Sequence, residues 1–216
     1  MSTDEEKRAA ADAASELIES GTRVGLGTGT TVTFLLHAIA RRGVHARFIA
    51  TSPETAAAAR ALGIVVEAFD ELDELDLAID GADQIAPDGW LVKGRGGAHL
   101  REKVVAAAAE RFVVIADSSK PVVSLHAPVP LELQQFGLRA TLRQIGAVRV
   151  RAVGPSPDGG VLADYLGDFD SPRELAERLD STPGVSAHGL FAPELVSEII
   201  VATGKTVRRE TLRGPR

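Results

Sequence analysis

Apolar and polar positions along the chain fall into blocks whose period switches between that of a helix and that of a buried strand. Residues 2–20 set Ala10, Ala13, Ala14, Leu17 and Ile18 on one stripe, with Thr3 and Glu6 at capping-box spacing and Gly21 as the stop. A strand is predicted over 22–27, a turn over Thr28 to Thr31, and a helix over 32–42. The beat recurs with a strand at 47–50, a turn at Thr51-Ser52, and a helix over 53–62 carrying proline at its first position. A short strand follows at 64–67, and the run over 76–79 reads as a strand buried on both faces. Residues 90–92 form a further strand whose direction stays open, because the link after Asp83 is too short for a crossover helix. A helix over 98–110 and a strand over 112–116 complete an alternation that predicts a parallel α/β sheet.

The rhythm changes near Pro121. Residues 128–133 alternate apolar and polar, with prolines that suit an edge strand. Then come a helix over 137–144, strands over 148–153 and 161–166, a helix from Ser171-Pro172 to Asp180, and a strand over 184–191. This β-α-β-β-α-β order is the ferredoxin-like signature. It places a small α+β domain at 126–196, inserted into a larger one made of 1–125 plus 197–216. Residues 199–201 form a last apolar strand returning to the first sheet, and 208–216 read as a loose charged tail.

Composition narrows the function. With 216 residues, 44% of them hydrophobic, the chain has material for a core. A net charge of −6 argues against a nucleic-acid binder, which needs a basic face. The absence of cysteine removes thiol nucleophiles, disulfides and Cys-metal sites. The histidines, His37, His45, His99, His126 and His188, lack metal-ligand spacing and read as structural or exposed, so no metal is expected. The acidic start lacks an apolar leader, and no run is long enough to span a membrane, which points to the cytoplasm.

Candidate chemistry sits where predicted strands end. Ligands of open parallel sheets bind past the strands' C-terminal ends, and five such ends carry unusual residues that this fold class brings to one rim. Gly27-Thr28-Gly29-Thr30-Thr31 supplies glycines and hydroxyls for an anion, or simply a tight capped turn. A dinucleotide fingerprint is absent, because Thr30 stands where a glycine is needed and no acid closes the second strand. Asp80-Gly81-Ala82-Asp83 offers two carboxylates for a polyol or for acid–base work, or plain turn chemistry. Lys93-Gly94-Arg95-Gly96-Gly97, ahead of a helix, favours an anionic ligand or transition state. Glu102 has Ala98, His99, Val105 and Ala106 at helical spacing, with no Lys or Arg there to pair with it; it reads as a general base or as a first-turn acid matching the helix dipole. The remaining two ends are Thr51-Ser52 and Asp117-Ser118-Ser119-Lys120, in which Lys120 reads as a phosphate ligand or a surface cation. Gln134-Gln135 and the acid cluster over 71–74 read as solvated surface.

Taken together, GLGTGTT at 25–31, Thr51-Ser52, IDGAD at 79–83, Lys93-Gly94 with Arg101-Glu102-Lys103, and IADSSK at 115–120 resemble ribose-5-phosphate isomerase of the A type. PVPLE at 128–132 and GLF at 189–191 add weaker matches, and the ordered set runs through nearly the whole chain. The resemblance implies a Rossmann-like parallel sheet domain with an inserted α+β domain, and the metal-independent interconversion of ribose 5-phosphate and ribulose 5-phosphate without a cofactor. It implies Glu102 as the base between C1 and C2, Asp80 in ring opening, and Asp83 and Lys93 around the reacting oxygens. Thr28, Gly29, Thr30, Thr31, Gly81, Ala82, Gly94, Arg95, Gly96 and Lys120 would hold substrate, with Lys7 near the phosphate. A homodimer or homotetramer is implied as well. Four places depart from the family pattern: Gln84 replaces an acid, Arg95 a glycine, and the segments 156–160 and 187–191 differ in the second domain. The competing function is a sugar-phosphate sensor domain, which would need no base at Glu102.

Overall fold

The computed structural model describes residues 3–71 and 74–214. The chain divides into two compact units, the first comprising residues up to Ala82, Arg101–Lys120 and the chain from Pro193, the second Asp83–Leu100 and Pro121–Ala192.

The first unit is built on a six-stranded sheet. Along the chain come α1 (Thr3–Ser15), β1 (Arg23–Leu26), α2 (Thr30–Arg42), β2 (Arg47–Ala50), α3 (Pro53–Ala61) and β3 (Leu75–Gly81). After β4 (Gln84–Ile85) and β5 (Leu91–Val92), which belong to the other unit, α4 (His99–Ala108) leads into β6 (Ala109–Asp117). Of the chain's last elements, β12 (Glu198–Thr203) and β13 (Thr206–Thr211) also belong here. The strand order is β13-β12-β6-β3-β1-β2, parallel throughout except for β13, which runs antiparallel to β12. The small face of α1 (Ala10, Ala11, Ala14) packs in one core with Leu35, Leu36 and Ile39 of α2 and with Leu26, Ile79, Val113 and Ile200 from the strands. Local chemistry fixes the helix ends. Ser52 accepts from Thr55 N at the start of α3, Pro53 follows it, and Gly43 closes α2 in the left-handed conformation. The helix expected over 2–20 ends at Ser15, and the strand expected at 64–67 shrinks to a single bridge between Phe48 and Val66.

One prediction arises at the other end of this sheet. The Asp76 carboxylate accepts from Arg23 N (2.7 Å), Nε (3.3 Å) and NH2 (2.8 Å), tying β3 to β1. These bonds hold its pKa below the usual 3.8, the guanidinium contributing most and the Arg23 amide next. A depressed carboxylate stabilises the fold fully above its unfolded value, and that contribution is lost as pH falls through the lower folded value. Asp76→Asn is therefore expected to cost about 1 kcal/mol at pH 7, the scale of a partly exposed pair. The difference from the parent should shrink below pH 3.8, as read by urea unfolding at both acidities.

The second unit holds β7 (Val129–Leu133), α5 (Leu138–Ile145), β8 (Val148–Val150), β9 (Val161–Tyr165), α6 (Pro172–Asp180) and β10 (Val185–His188). Their antiparallel order β10-β7-β9-β8 is that of a ferredoxin-like unit. Leu131, Leu133, Ala163, Leu175 and Leu179 fill its core. A three-stranded sheet, β11-β5-β4, with β11 at Leu190–Phe191, joins residues 83–100 to this unit, although the strand-and-helix rhythm assigns them to the first. The reason is pairing: β4 and β5 form a hairpin through Gly89 (φ 84°), and β11 adds to it antiparallel. The strand at Trp90 thus runs antiparallel to the segment after Asp83, so the short link needs no crossover.

Three expectations are corrected. The proline strand β7 lies in the centre of its sheet rather than at the edge. Pro130 is tolerated because β10 ends at His188; the Pro130 carbonyl accepts from Gly189 N (2.7 Å), so its donor-less nitrogen faces the same gap. The strand expected over 184–191 breaks at Gly189 into β10 and β11, where a Cβ would lie 2.8 Å from Pro130 Cδ. Of the tail expected to be loose over 208–216, residues 208–211 belong to β13, which Gly204 (φ 57°) turns back and which pairs with β12 from Thr206 to Thr211; residues 215 and 216 lie outside the described residues. Of the acid cluster over 71–74, residues 72 and 73 lie outside the described residues, and Glu74 is exposed near Arg23.

Candidate active site

The order β2-β1-β3-β6-β12 makes the gap between β1 and β3 the topological switch point, where loops leave the sheet in opposite directions and open a crevice. Gly27 and Asp80 meet there. Gly27 N donates to Ile79 O (3.0 Å), and a Cβ on Gly27 would overlap the Asp80 carboxyl group. Asp80 is 3% exposed, and its Oδ1 accepts from Thr28 N (3.1 Å) and Gly81 N (2.7 Å). The Thr28 hydroxyl lies 2.9 Å from that of Thr51. Thr55 donates from its hydroxyl to Gly27 O (2.9 Å) and receives a bond from Ser52 (3.1 Å). These short side chains lock the ends of β1, β2 and β3 into one preformed floor.

The exposed Gly29 and Thr30 begin α2, while Thr31 is buried. Gly29 sits at φ 127° without a side-chain cap, and the first helical bond is Thr33 N to Gly29 O (3.0 Å). The amides of Thr30, Thr31 and Val32 precede that bond at the positive end of the helix dipole, which favours negative charge.

Glu102 lies in the first turn of α4 and is 3% exposed. One turn on, the Val105 side chain fills the space that the missing Cβ of Gly25 leaves, so α4 is pressed onto β1. The helix turn that carries Glu102 is thereby a packed one rather than a loose surface turn.

At the end of β6, Asp117 Oδ1 accepts from Ser119 N (2.9 Å) and from the Ser119 hydroxyl, and Lys120 N donates to Asp117 O (3.2 Å). Lys120 is half-buried. Ser118 donates from both N (3.1 Å) and Oγ (2.7 Å) to Glu6 on α1. Lys7, also half-buried, lies 3.5 Å from Asp4.

In the second unit, the Lys93 ammonium lies 4.8 Å above the Phe191 ring, and the residue is 2% exposed. Its backbone is clamped, with Lys93 N donating to Gly189 O (2.9 Å). Gly94 needs its φ of 101°, and a Cβ there would come within 2.7 Å of His99 Cγ. Asp83 Oδ2 accepts from Arg95 N (3.1 Å), and the Arg95 Nε is 3.6 Å from Oδ1. Arg151 pins the loop by donating to Arg95 O (2.9 Å) while its NH2 holds Asp164 (2.7 Å). Gly96 is exposed and Ala82, in the first unit, half-buried. Gln84 explains one departure from the family pattern: its Oε1 accepts from His126 N (2.9 Å) and its Nε2 donates to His126 O (2.9 Å). A carboxylate could only accept, so an amide fits this two-way clamp.

The expectation that all five loops share the rim of one sheet is corrected here. Four of them end β1, β2, β3 and β6, whereas Lys93 to Gly97 follows β5 of the second unit's small sheet. His37, His45 and His126 are exposed; His99 and His188 are buried, and His188 accepts at Nδ1 from Leu190 N (3.2 Å) and lies 3.1 Å from Asp180. Among the described residues no cluster of three His, Asp or Glu is placed to hold a metal ion, and no helix is long and apolar enough to cross a membrane. The sequence reading missed Thr55, Phe191 and Glu6. Thr55 carried a signal, three residues after the Ser52 cap; Phe191 and Glu6 act on residues remote in sequence and carried none.

Comparison with known proteins identifies the family. The family model for ribose 5-phosphate isomerase A (phosphoriboisomerase A) matches residues 47–206. A ribose-5-phosphate isomerase A of Synechococcus sp. (strain JA-3-3Ab) is 42% identical and covers 98% of both chains. One of Caulobacter vibrioides (strain NA1000 / CB15N) is 41% identical over 97% of this chain and 99% of its own. The crystal structure of ribose 5 phosphate isomerase A from Neisseria gonorrhoeae superposes with a TM-score of 0.92 at 31% identity, covering 97% of each chain. A D-ribose-5-phosphate isomerase solved in complex with phospho-erythronic acid superposes at 0.91 with 29% identity, over 98% of this chain and all of that one (100%). By sequence over nearly its full length, and by the winding of its sheet, the chain belongs to the ribose-5-phosphate isomerase A family.

Proposed function

We propose that this chain interconverts ribose 5-phosphate and ribulose 5-phosphate through an enediolate, with Glu102 as the base and without a metal. The observation that carries the reading is a buried carboxylate on a packed helix turn, in the unit that also presents Asp80 at the switch point. Family membership and the phospho-erythronic acid bound by a solved relative support the substrate. That acid sets a carboxylate at the end of a phosphorylated polyol, the place of the two oxygens of an enediolate.

In the proposed sequence Asp80 assists ring opening: the C1 hydroxyl gives up a proton, the ring oxygen gains one, and the aldehyde is freed. Glu102 takes the proton from C2, and the electron pair moves to make the enediolate. A proton passes between O2 and O1, and Glu102 returns its proton to C1, leaving the ketose. One base serves both carbons because they are adjacent on one face. Lys93, Asp83 and backbone donors of their loop are assigned to the charge developing on O1 and O2. The start of α2 and Lys120 are assigned to sugar and phosphate and supply affinity for the substrate. A binding-only sensor has no use for Glu102. A cytoplasmic homodimer or homotetramer is the setting we infer.

The test is ribose 5-phosphate mixed with the protein in deuterated water containing chelator. Ribulose 5-phosphate with deuterium at C1, at a rate the chelator leaves unchanged, is expected. No ketose from folded protein overturns the reading, and loss of rate in chelator overturns its metal independence.

A further inference from the structure

Glu6 occupies the place of a capping-box partner for Thr3, yet its side chain serves a different purpose. It is buried at 7% exposure. Its Oε2 accepts two bonds from Ser118, from N (3.1 Å) and from Oγ (2.7 Å), and its Oε1 accepts from Gly204 N (2.7 Å). One carboxylate therefore joins α1, the turn after β6 and the β12–β13 hairpin. Those bonds hold the group below the usual 4.5, the Gly204 amide contributing most and the Ser118 hydroxyl and amide next. At neutral pH it stays an acceptor for all three donors.

The turn it ties carries Lys120. Asp117 closes β6 and pairs with Ala202 of β12, while Ser119 and Lys120 bond back to Asp117. Beyond the buried Asp117, Ser118 and Ser119 are exposed, so packing does little to fix those two residues. We propose that Glu6 is a positioning residue for phosphate recognition: it anchors the 117–120 turn to α1 so that Lys120 stands ready for the phosphate of the sugar. The inference rests on the function proposed above, since it takes Lys120 as a phosphate ligand. A pre-set cation meets its anion without first losing conformational freedom, and that saving shows in affinity. The phosphate is remote from C1 and C2, so losing part of this contact weakens ground state and transition state alike and moves KM rather than kcat.

The experiment is a double-mutant cycle read by titration calorimetry with ribose 5-phosphate and with inorganic phosphate, neither of which needs turnover. Glu6→Gln is expected to weaken both by about tenfold, the loss of a charge-assisted anchor. Its kcat should stay within about twofold of the parent while KM rises in step. Lys120→Ala should weaken binding as well, and the double variant should bind no worse than Lys120→Ala alone, because Glu6 acts through Lys120. Ser118→Ala removes one donor and leaves the other two; an intermediate loss, again absent on the Lys120→Ala background, is expected. It carries the cycle if Glu6→Gln does not fold.

Unchanged phosphate affinity in folded Glu6→Gln, or losses that simply add to those of Lys120→Ala, would overturn the positioning role. So would a fall in kcat at constant KM. Turnover separates the two proposals: a parent that binds but does not isomerise defeats the function while the cycle still decides for or against Glu6. An active parent with additive losses defeats only the inference about Glu6.

Discussion

Glu102→Gln is expected to keep its affinity for ribose 5-phosphate within a few-fold while turnover falls by about 10²–10⁴-fold, the usual share of a positioned general base. The amide keeps the shape of the side chain, so packing of α4 through Val105 on β1 should survive. What disappears is the only function the substitution targets, acceptance of a carbon-bound proton. Thermal unfolding within about 1 kcal/mol of the parent would confirm that the loss is chemical, on the scale of ordinary near-isosteric replacements. Exchange of the C2 proton with solvent should fall with turnover. Normal exchange in the variant would place the base elsewhere.

Gly27→Ala should be nearly as damaging for a different reason. The added methyl would occupy the volume of the Asp80 carboxyl, which is buried and short and has no flexible end to swing away. Either β1 shifts or Asp80 leaves Thr28 N and Gly81 N. Overpacking of this kind costs about 1–3 kcal/mol. Displacing Asp80 should also lower turnover by about 10²-fold, the lower end for a proton-transfer group. Denaturant unfolding and steady-state kinetics measure the two parts. A variant that isomerises at the parental rate would show that the place of Asp80 is not set by Gly27, and that the floor at the switch point tolerates motion.

The contrast between Gly27 and Glu6 shows what a sequence discloses. Gly27, Thr28 and Asp80 sit in short motifs at the ends of strands with clear apolar runs, so both the elements and their meeting at the rim were legible. Gly25 lies in β1 and Gly27 just after it, and each admits a different neighbour, Val105 or Asp80; the motif showed the glycines but not their guests. The Lys93 loop was legible as chemistry but not as architecture. Its strand pairs with Leu190–Phe191, far along the chain, and two-residue strands carry no period to read. Pro130 suggested an edge because the missing donor is local information, whereas the end of β10 beside it is not. β13 has one apolar residue, Val207, so neither alternation nor burial announced it; backbone pairing with β12 made it a strand. Glu6 looked like a cap because its true partners, Ser118 and Gly204, are invisible at short range.

That terminal hairpin has a consequence for solubility. Without Thr206–Thr211, the apolar run Ile199-Ile200-Val201 would present a row of open amides and carbonyls, a template for another copy's backbone. β13 covers that row and turns outward a fringe of Arg208, Arg209 and Glu210, whose charges discourage stacking. The opposite border is guarded in kind, with Val66 bridging Phe48 and Glu67 gripping Arg47 beside β2. The sheet thus ends on a charged strand at one border and a bridged one at the other, features that discourage edge-to-edge pairing.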